Sequence, residues 1–190
     1  NGYYKEAEAV IEKAVEVGIT YFDTAPAYQQ SRDYLGNYLW KRAKREQIFL
    51  ASKTHDRTYE GTMLLLEDSL KRLKTSYLDL LQLHDLRTTQ DLKEIFSNNG
   101  AIQALKEARK QGKVKFLGIT GHHDPEILIS ALQNYDFDTI LLCANAADTH
   151  YLPFINTVIP EARKRKMGVI AMKVAGHGHI LSSVTMKEAL

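Results

Sequence analysis

Short apolar, β-branched runs alternate with amphipathic stretches along almost the whole chain, and this alternation limits the possible fold more than any other feature. Strand candidates are Ile19–Asp23, Ile48–Lys53, Leu78–His84, Lys115–Thr120, Thr139–Asn145 and Val169–Val174, each bounded by polar residues or glycine. The helical stretch Ala7–Val17 precedes the first of them. Ser31–Lys44, Glu60–Leu73, Ala101–Gln111, Pro125–Asn134 and Leu152–Lys166 follow in turn. Asp124-Pro125 reads as an N-cap with proline in the first helical position, and Gly18, Gly112 and Gly168 stand where helices should stop. Successive strands begin roughly 30 residues apart, the size of one βαβ unit. The longest connection, Asp85–Asn99, has room for a short helix at Asp91–Phe96.

Repeated βα units build either an open doubly wound sheet or a closed barrel. The open sheet usually carries a glycine fingerprint after its first strand, and neither G-x-G-x-x-G nor G-x-x-x-x-G-K-[ST] occurs here. Three polar residues point instead to the barrel. Asp23, Lys53 and His84 close three consecutive strand candidates, and barrel enzymes assemble their active sites from the C-terminal ends of several strands. The expected fold is therefore α/β, a (β/α)8 TIM barrel. A closed barrel takes about 250 residues, and this chain has 190. Residues 1–190 are thus expected to form a single barrel domain truncated at both ends, with the first strand ahead of Asn1 and the last beyond Leu190.

Composition narrows the partners. A net charge of +2 is too small for nucleic-acid binding by field. The clusters Lys41-Arg42-Ala43-Lys44-Arg45 and Arg163-Lys164-Arg165-Lys166 read as cations at helix ends, where the dipole favours them. Cys143 is the only cysteine; it excludes an internal disulfide and reads as a small buried hydrophobe in a reducing, cytoplasmic compartment. No signal-peptide pattern or apolar run of membrane-spanning length is visible, so no membrane partner is expected. Oligomeric state is not legible in these residues.

Strand parity puts Asp23 on one face with Tyr21, Lys53 with Ala51 and Phe49, and His84 with Gln82 and Leu80. The opposite faces carry Phe22, Ile48, Leu50, Leu81 and Leu83, apolar residues suited to lie under helices. Tyr28 lies just past the first strand, after Pro26 turns the chain. A phenol titrates near pKa 10, too high for an ideal acid at neutral pH; a neighbouring ammonium stabilises the phenolate and lowers that value. With Asp23 orienting Lys53, Tyr28 gives a proton donor. His84 adds a second hydrogen bond to a substrate oxygen. Carbonyl reduction needs this set once a cofactor brings hydride.

The runs Gly18-Ile19-Thr20-Tyr21-Phe22-Asp23-Thr24-Ala25 with Tyr28, Leu35-Gly36, Ala51-Ser52-Lys53-Thr54 and Leu78-Asp79-Leu80-Leu81-Gln82-Leu83-His84 resemble the aldo-keto reductases. So do Gly112-Lys113-Val114-Lys115-Phe116-Leu117-Gly118-Ile119-Thr120 and Gly168-Val169-Ile170-Ala171-Met172-Lys173. The resemblance implies an NADPH-dependent oxidoreductase that reduces aldehydes or ketones to alcohols. In it Tyr28 is the general acid, Lys53 and Asp23 tune it, and His84 orients a small-molecule carbonyl substrate. It further implies that Asp23, Thr120, Gly121, Asn145, Met172 and Lys173 contact NADPH (NADP+). The chain departs from the family at three places. Thr120-Gly121-His122 stands where many members have Ser-Asn, Asn145 where many have Gln, and Met172 where many stack a Tyr.

His122, His123, His150, His177 and His179 all follow strand ends. Without an H-x-x-x-H pair and an acidic partner they carry no metal signature, so no metal is expected; His122 and His150 are read as substrate-pocket residues. Two other functions fit part of the pattern. One is a cofactor-binding regulatory or partner-binding module with little turnover, as in potassium-channel β subunits. The other is a Schiff-base enzyme using Lys53, which wants a lysine of lowered pKa; a flanking Asp23 is expected to raise it.

Overall fold

The computed structural model describes residues 2–146, 148, 153–180 and 185. Helix α1 (Gly2–Glu16) leads into β1 (Tyr21–Asp23), α2 (Ser31–Tyr38), β2 (Phe49–Thr54), α3 (Tyr59–Leu73) and β3 (Leu78–Leu83). Two helices, α4 (Thr89–Ile95) and α5 (Ala101–Lys110), separate β3 from β4 (Val114–Gly121). Then come α6 (Pro125–Asn134), β5 (Thr139–Cys143), α7 (Phe154–Lys164) and β6 (Gly168–Met172). The six strands lie in one sheet in chain order, β1 to β6. The pairings β1–β2, β4–β5 and β5–β6 are parallel, with Asp23 opposite Ala51, Thr120 opposite Leu141 and Cys143 opposite Met172. Among the described residues no helix is long and apolar enough to cross a membrane. The chain divides into two compact units, residues 1–82 with 94–117, and residues 83–93 with 118–190.

In the first unit, the residues assigned to the helix side by parity are buried: Phe22, Ile48, Leu50 and Leu81. On the other face the rings of Tyr21, Phe49 and Phe116 stack at 5.2 and 6.1 Å. Thr58 caps α3, accepting from the Gly61 amide at 3.1 Å, and Lys74 ends it in the left-handed region. Helices α2 and α3 pack against each other at Gly36, where an added Cβ would lie 2.0 Å from the Arg72 carbonyl oxygen. Gly36→Ala must force the two helices apart, and overpacking of this kind costs about 1–3 kcal/mol. The expected result is a lower urea midpoint with an unchanged slope; an unchanged midpoint would show that the helices separate freely.

Several expected boundaries move, each for a local reason. Ile19 is not in β1, because its amide donates to the Ala14 carbonyl and finishes the end of α1. Helix α1 starts before Ala7, where Tyr4 packs edge-on against Tyr34 at 5.0 Å. Helix α2 stops at Tyr38, six residues short of Lys44, and passes through a 3-10 turn at Leu39–Lys41. Beyond it Arg45 is no helix-end cation. Its guanidinium bonds Thr75 Oγ1 and the Ile48 and Tyr77 carbonyls, pairs with Asp79 Oδ2 at 2.7 Å, and lies over the Tyr77 ring.

Asp79 itself is nearly buried and also accepts from the Leu50 amide at 2.9 Å and Lys115 Nζ at 2.8 Å. Burial opposes its ionised form. The Leu50 amide, Lys115 and Arg45 outweigh that and hold the carboxyl below its ordinary range. A carboxyl with a folded-state pKa below the unfolded one stabilises the fold above the unfolded value and loses that contribution as pH falls through the folded one. Asp79→Asn should therefore cost about 1.5–3 kcal/mol at pH 7, and the gap to wild type should close below about pH 4. Denaturation curves at the two pH values check this; equal stabilities at pH 7 would remove Asp79 from the account.

In the second unit, α6 begins as its sequence indicates: Asp124 accepts from the Glu126 amide at 2.9 Å, with Pro125 in the first turn. Helix α7 begins at Phe154, where the buried Asp148 accepts from the Ile155 amide at 2.9 Å; the expected start at Leu152 lies outside the described residues. The stop after α7 is made by Lys166, at φ 57°, and Gly168 opens β6 instead. Cys143 is a free thiol but only half-buried, and that burial raises its pKa.

Candidate active site

Asp23 ends β1 opposite Ala51, so Lys53 stands one same-face position further along β2. There the Lys53 side chain is fully covered, and its ammonium pairs with Asp23 Oδ2. It also donates to the Thr24 carbonyl at 3.0 Å. Gln82, buried on β3, donates from Nε2 to Asp23 Oδ1 at 3.1 Å. The carboxylate is thus held at both oxygens. Tyr28 stands in a tight turn before α2: its amide donates to the Ala25 carbonyl and its carbonyl accepts from Ser31. Its ring centroid is 4.7 Å from Lys53 Nζ, and the residue is 42% exposed. The first unit therefore joins three of the sequence-predicted residues: a fully covered ammonium paired with a half-buried carboxylate, and an accessible phenol beside them.

The electrostatics separate the two tyrosines nearby. Burial, reinforced by Asp23, pushes the Tyr21 phenol well above its usual range, so Tyr21 keeps its proton. Tyr28 has the ammonium against its ring instead. Burial raises the Asp23 carboxyl, with Lys53 and Gln82 opposing. Burial also lowers the Lys53 ammonium against the pull of Asp23, contrary to the sequence expectation that Asp23 keeps it high. That shift does not make Lys53 a nucleophile, because its nitrogen faces Asp23 and the Thr24 carbonyl and its side chain meets no solvent.

The second unit carries the remaining predicted residues. His84 directly follows β3 and is half-buried. Next to it Asp85 adopts φ 56°. The Asp85 amide donates to Thr120 Oγ1 at 2.8 Å and the Leu86 amide to the Thr120 carbonyl at 2.9 Å, which ties the end of β3 to the end of β4. Arg87 grips Asp85 Oδ2 through Nε at 2.7 Å and Nη2 at 2.5 Å. Asp85 Oδ1 faces His122 Nε2 at 3.3 Å and His123 Nε2 at 3.4 Å. Burial raises the Asp85 carboxyl, but Arg87 and the two histidines outweigh it and hold the group below its ordinary range. Burial lowers the His122 imidazole, with Asp85 opposing and Lys173 reinforcing.

Thr120 and Gly121 are both buried. Helix α6 seats closely over this strand end: a Cβ on Gly121 would lie 2.8 Å from Leu128 Cδ2. Asn145, Met172 and Lys173 stand half-buried beyond β5 and at the end of β6. An amide, a thioether and an ammonium at adjacent strand ends are a donor set that fits a flat ring bearing a carboxamide, with phosphates beyond it. His150 lies outside the described residues. Sequence reasoning passed over Gln82 and Asp85. Parity had placed Gln82 on the face of the polar strand ends, the one signal for it; Asp85 had none.

The family model described as "Aldo/keto reductase family" matches residues 3–189. An aldo-keto reductase of Gibberella moniliformis is 29% identical over 189 residues, covering 94% of this chain and 55% of that protein. L-galactose dehydrogenase of Arabidopsis thaliana is 33% identical over 125 residues, 61% of this chain and 38% of its own length. The chain thus spans about half, or less, of these relatives. Among solved structures, a Bombyx mori aldo-keto reductase in complex with NADP superposes with a TM-score of 0.73 at 18% identity, over 90% of this chain and 57% of that one. The fold is that of the (β/α)8 barrel.

Proposed function

The chain belongs to the aldo/keto reductase family, and from that premise we propose that it forms a single NADPH-dependent reductase domain, acting in the cytoplasm, that converts aldehydes or ketones to alcohols. The observation that carries this reading is the fully covered Lys53, paired with Asp23, with its ammonium 4.7 Å from the Tyr28 ring. Tyr28 gives its phenolic proton to the carbonyl oxygen. Lys53 stabilises the phenolate left behind, and Asp23, steadied by Gln82, keeps Lys53 oriented. His84 orients the substrate oxygen, and His122 and His150 line the substrate pocket. Asp23, Thr120, Gly121, Asn145, Met172 and Lys173 hold the cofactor. When bound, NADPH supplies the hydride.

The test is NADPH oxidation by the full-length protein with a reactive aromatic aldehyde, followed by nicotinamide absorbance. Aldehyde-dependent oxidation is expected. NADPH binding without turnover of any aldehyde would replace the enzyme with a cofactor-binding regulatory module. No NADPH binding would overturn the proposed cofactor residues.

A further inference from the structure

We propose that Asp85, His122 and His123 form a binding site for a divalent transition ion, Zn2+ foremost. All three belong to the second unit, and one ligand atom from each lies within 4.8 Å of the others. Asp85 Oδ1 stands 3.3 Å from His122 Nε2 and 3.4 Å from His123 Nε2. Direct charge-assisted hydrogen bonds run at about 2.7–2.9 Å, so both contacts are long for that purpose. Both match edges of another geometry, and the ligand nitrogens of the two histidines lie within 4.8 Å of each other. Ligands about 2.0–2.1 Å from a tetrahedral Zn2+ are about 3.3–3.4 Å apart along each edge.

The donor types fit as well. Two imidazoles and one carboxylate are a usual protein set for Zn2+, with the fourth position left to water or a small ligand. The support behind the carboxylate is already built. Arg87 holds Oδ2 with two nitrogens, leaving Oδ1 turned to the histidines, and the Asp85 amide is fixed on Thr120 Oγ1. Hydrogen-bonded carboxylates of this kind are what orient metal ligands. Asp85 also accepts a left-handed backbone that non-glycine residues rarely adopt, and this sets its carboxylate at the β4 end. No sequence spacing announces the site, because Asp85 comes from the end of β3 and the histidine pair from the end of β4.

The experiment uses full-length protein stripped with chelator and titrated with Zn2+ by calorimetry and with Co2+ by absorption. One ion per chain is expected, with the intense visible bands of tetrahedral Co2+, and bound Zn2+ should raise the thermal midpoint. Asp85→Asn and His123→Gln should each weaken Zn2+ at least 10-fold, while His55→Gln, an exposed histidine outside the cluster, should change nothing. His123 is 43% exposed at its side chain, so His123→Gln decides the matter if Asp85→Asn fails to fold. Absence of stoichiometric binding, or full affinity in His123→Gln, overturns the site. None of these readouts uses turnover, so this proposal and the reductase reading stand or fall separately.

Discussion

Tyr28→Phe is expected to lower aldehyde reduction by about 10²–10⁴-fold, the usual contribution of a positioned proton donor, while NADPH binding stays close to wild type. The substitution removes one oxygen from a residue that is 42% exposed, so the fold has little reason to change. The alternative phenol, Tyr21, is held protonated by burial and by Asp23 and cannot take over. Turnover and NADPH affinity should therefore part company: kcat collapses, and the cofactor Kd moves by less than a factor of a few. Turnover retained within threefold would end the assignment of Tyr28 as acid. Loss of NADPH binding together with turnover would mean that the phenol holds the cofactor instead.

The second large effect is expected from Asp23→Ala, in stability and activity together. Lys53 is fully covered, and its main partner is the Asp23 carboxylate. Removing one member of a buried ion pair costs about 3–5 kcal/mol, because the other charge is left uncompensated. For a domain of this size each kcal/mol moves the thermal midpoint by about 2–4 °C, so a fall of roughly 6–20 °C is expected. Burial already lowers the Lys53 ammonium against the pull of Asp23, and without Asp23 it falls further. Without Asp23 to orient it, Lys53 no longer holds its ammonium against the Tyr28 ring, so turnover drops even at temperatures where the variant is folded. Asp23→Glu restores the charge and should recover part of both losses. A midpoint within 1 °C of wild type in Asp23→Ala would show that Thr24 and solvent satisfy Lys53 unaided.

Much of the chemistry was legible because the side-chain period of a strand is two residues. Parity alone placed Phe22, Leu50 and Leu81 under helices and Asp23 and Lys53 on the opposite face; in the first unit Leu50 and Leu81 are buried, and so are Ala51, Lys53 and Leu80 across from them. The alternation of strand and helix left an open sheet or a barrel, the polar strand ends Asp23, Lys53 and His84 pointed to the barrel, and the cap at Asp124-Pro125 set the start of α6 to the residue. Turn chemistry was less dependable. Gly168 read as a helix stop, yet Lys166 took the left-handed position because the chain had to reverse two residues earlier to start β6. The basic run through Arg45 read as cations at a helix end. Its guanidinium instead lies against the Tyr77 carbonyl and Asp79, groups some 30 residues away that no local window contains.

The sequence by itself determined the repeat of βα units, the faces of its strands and the ammonium and carboxylate at their ends, since these follow from periodicities of two and 3.6 residues. Only the tertiary structure decided which of those groups meet. There burial draws the Lys53 ammonium downward against the pull of Asp23, Gln82 completes the hold on Asp23, and Asp85 gathers His122 and His123. Such outcomes depend on desolvation and on distances between residues far apart in the chain, and both exist only once the strands lie side by side.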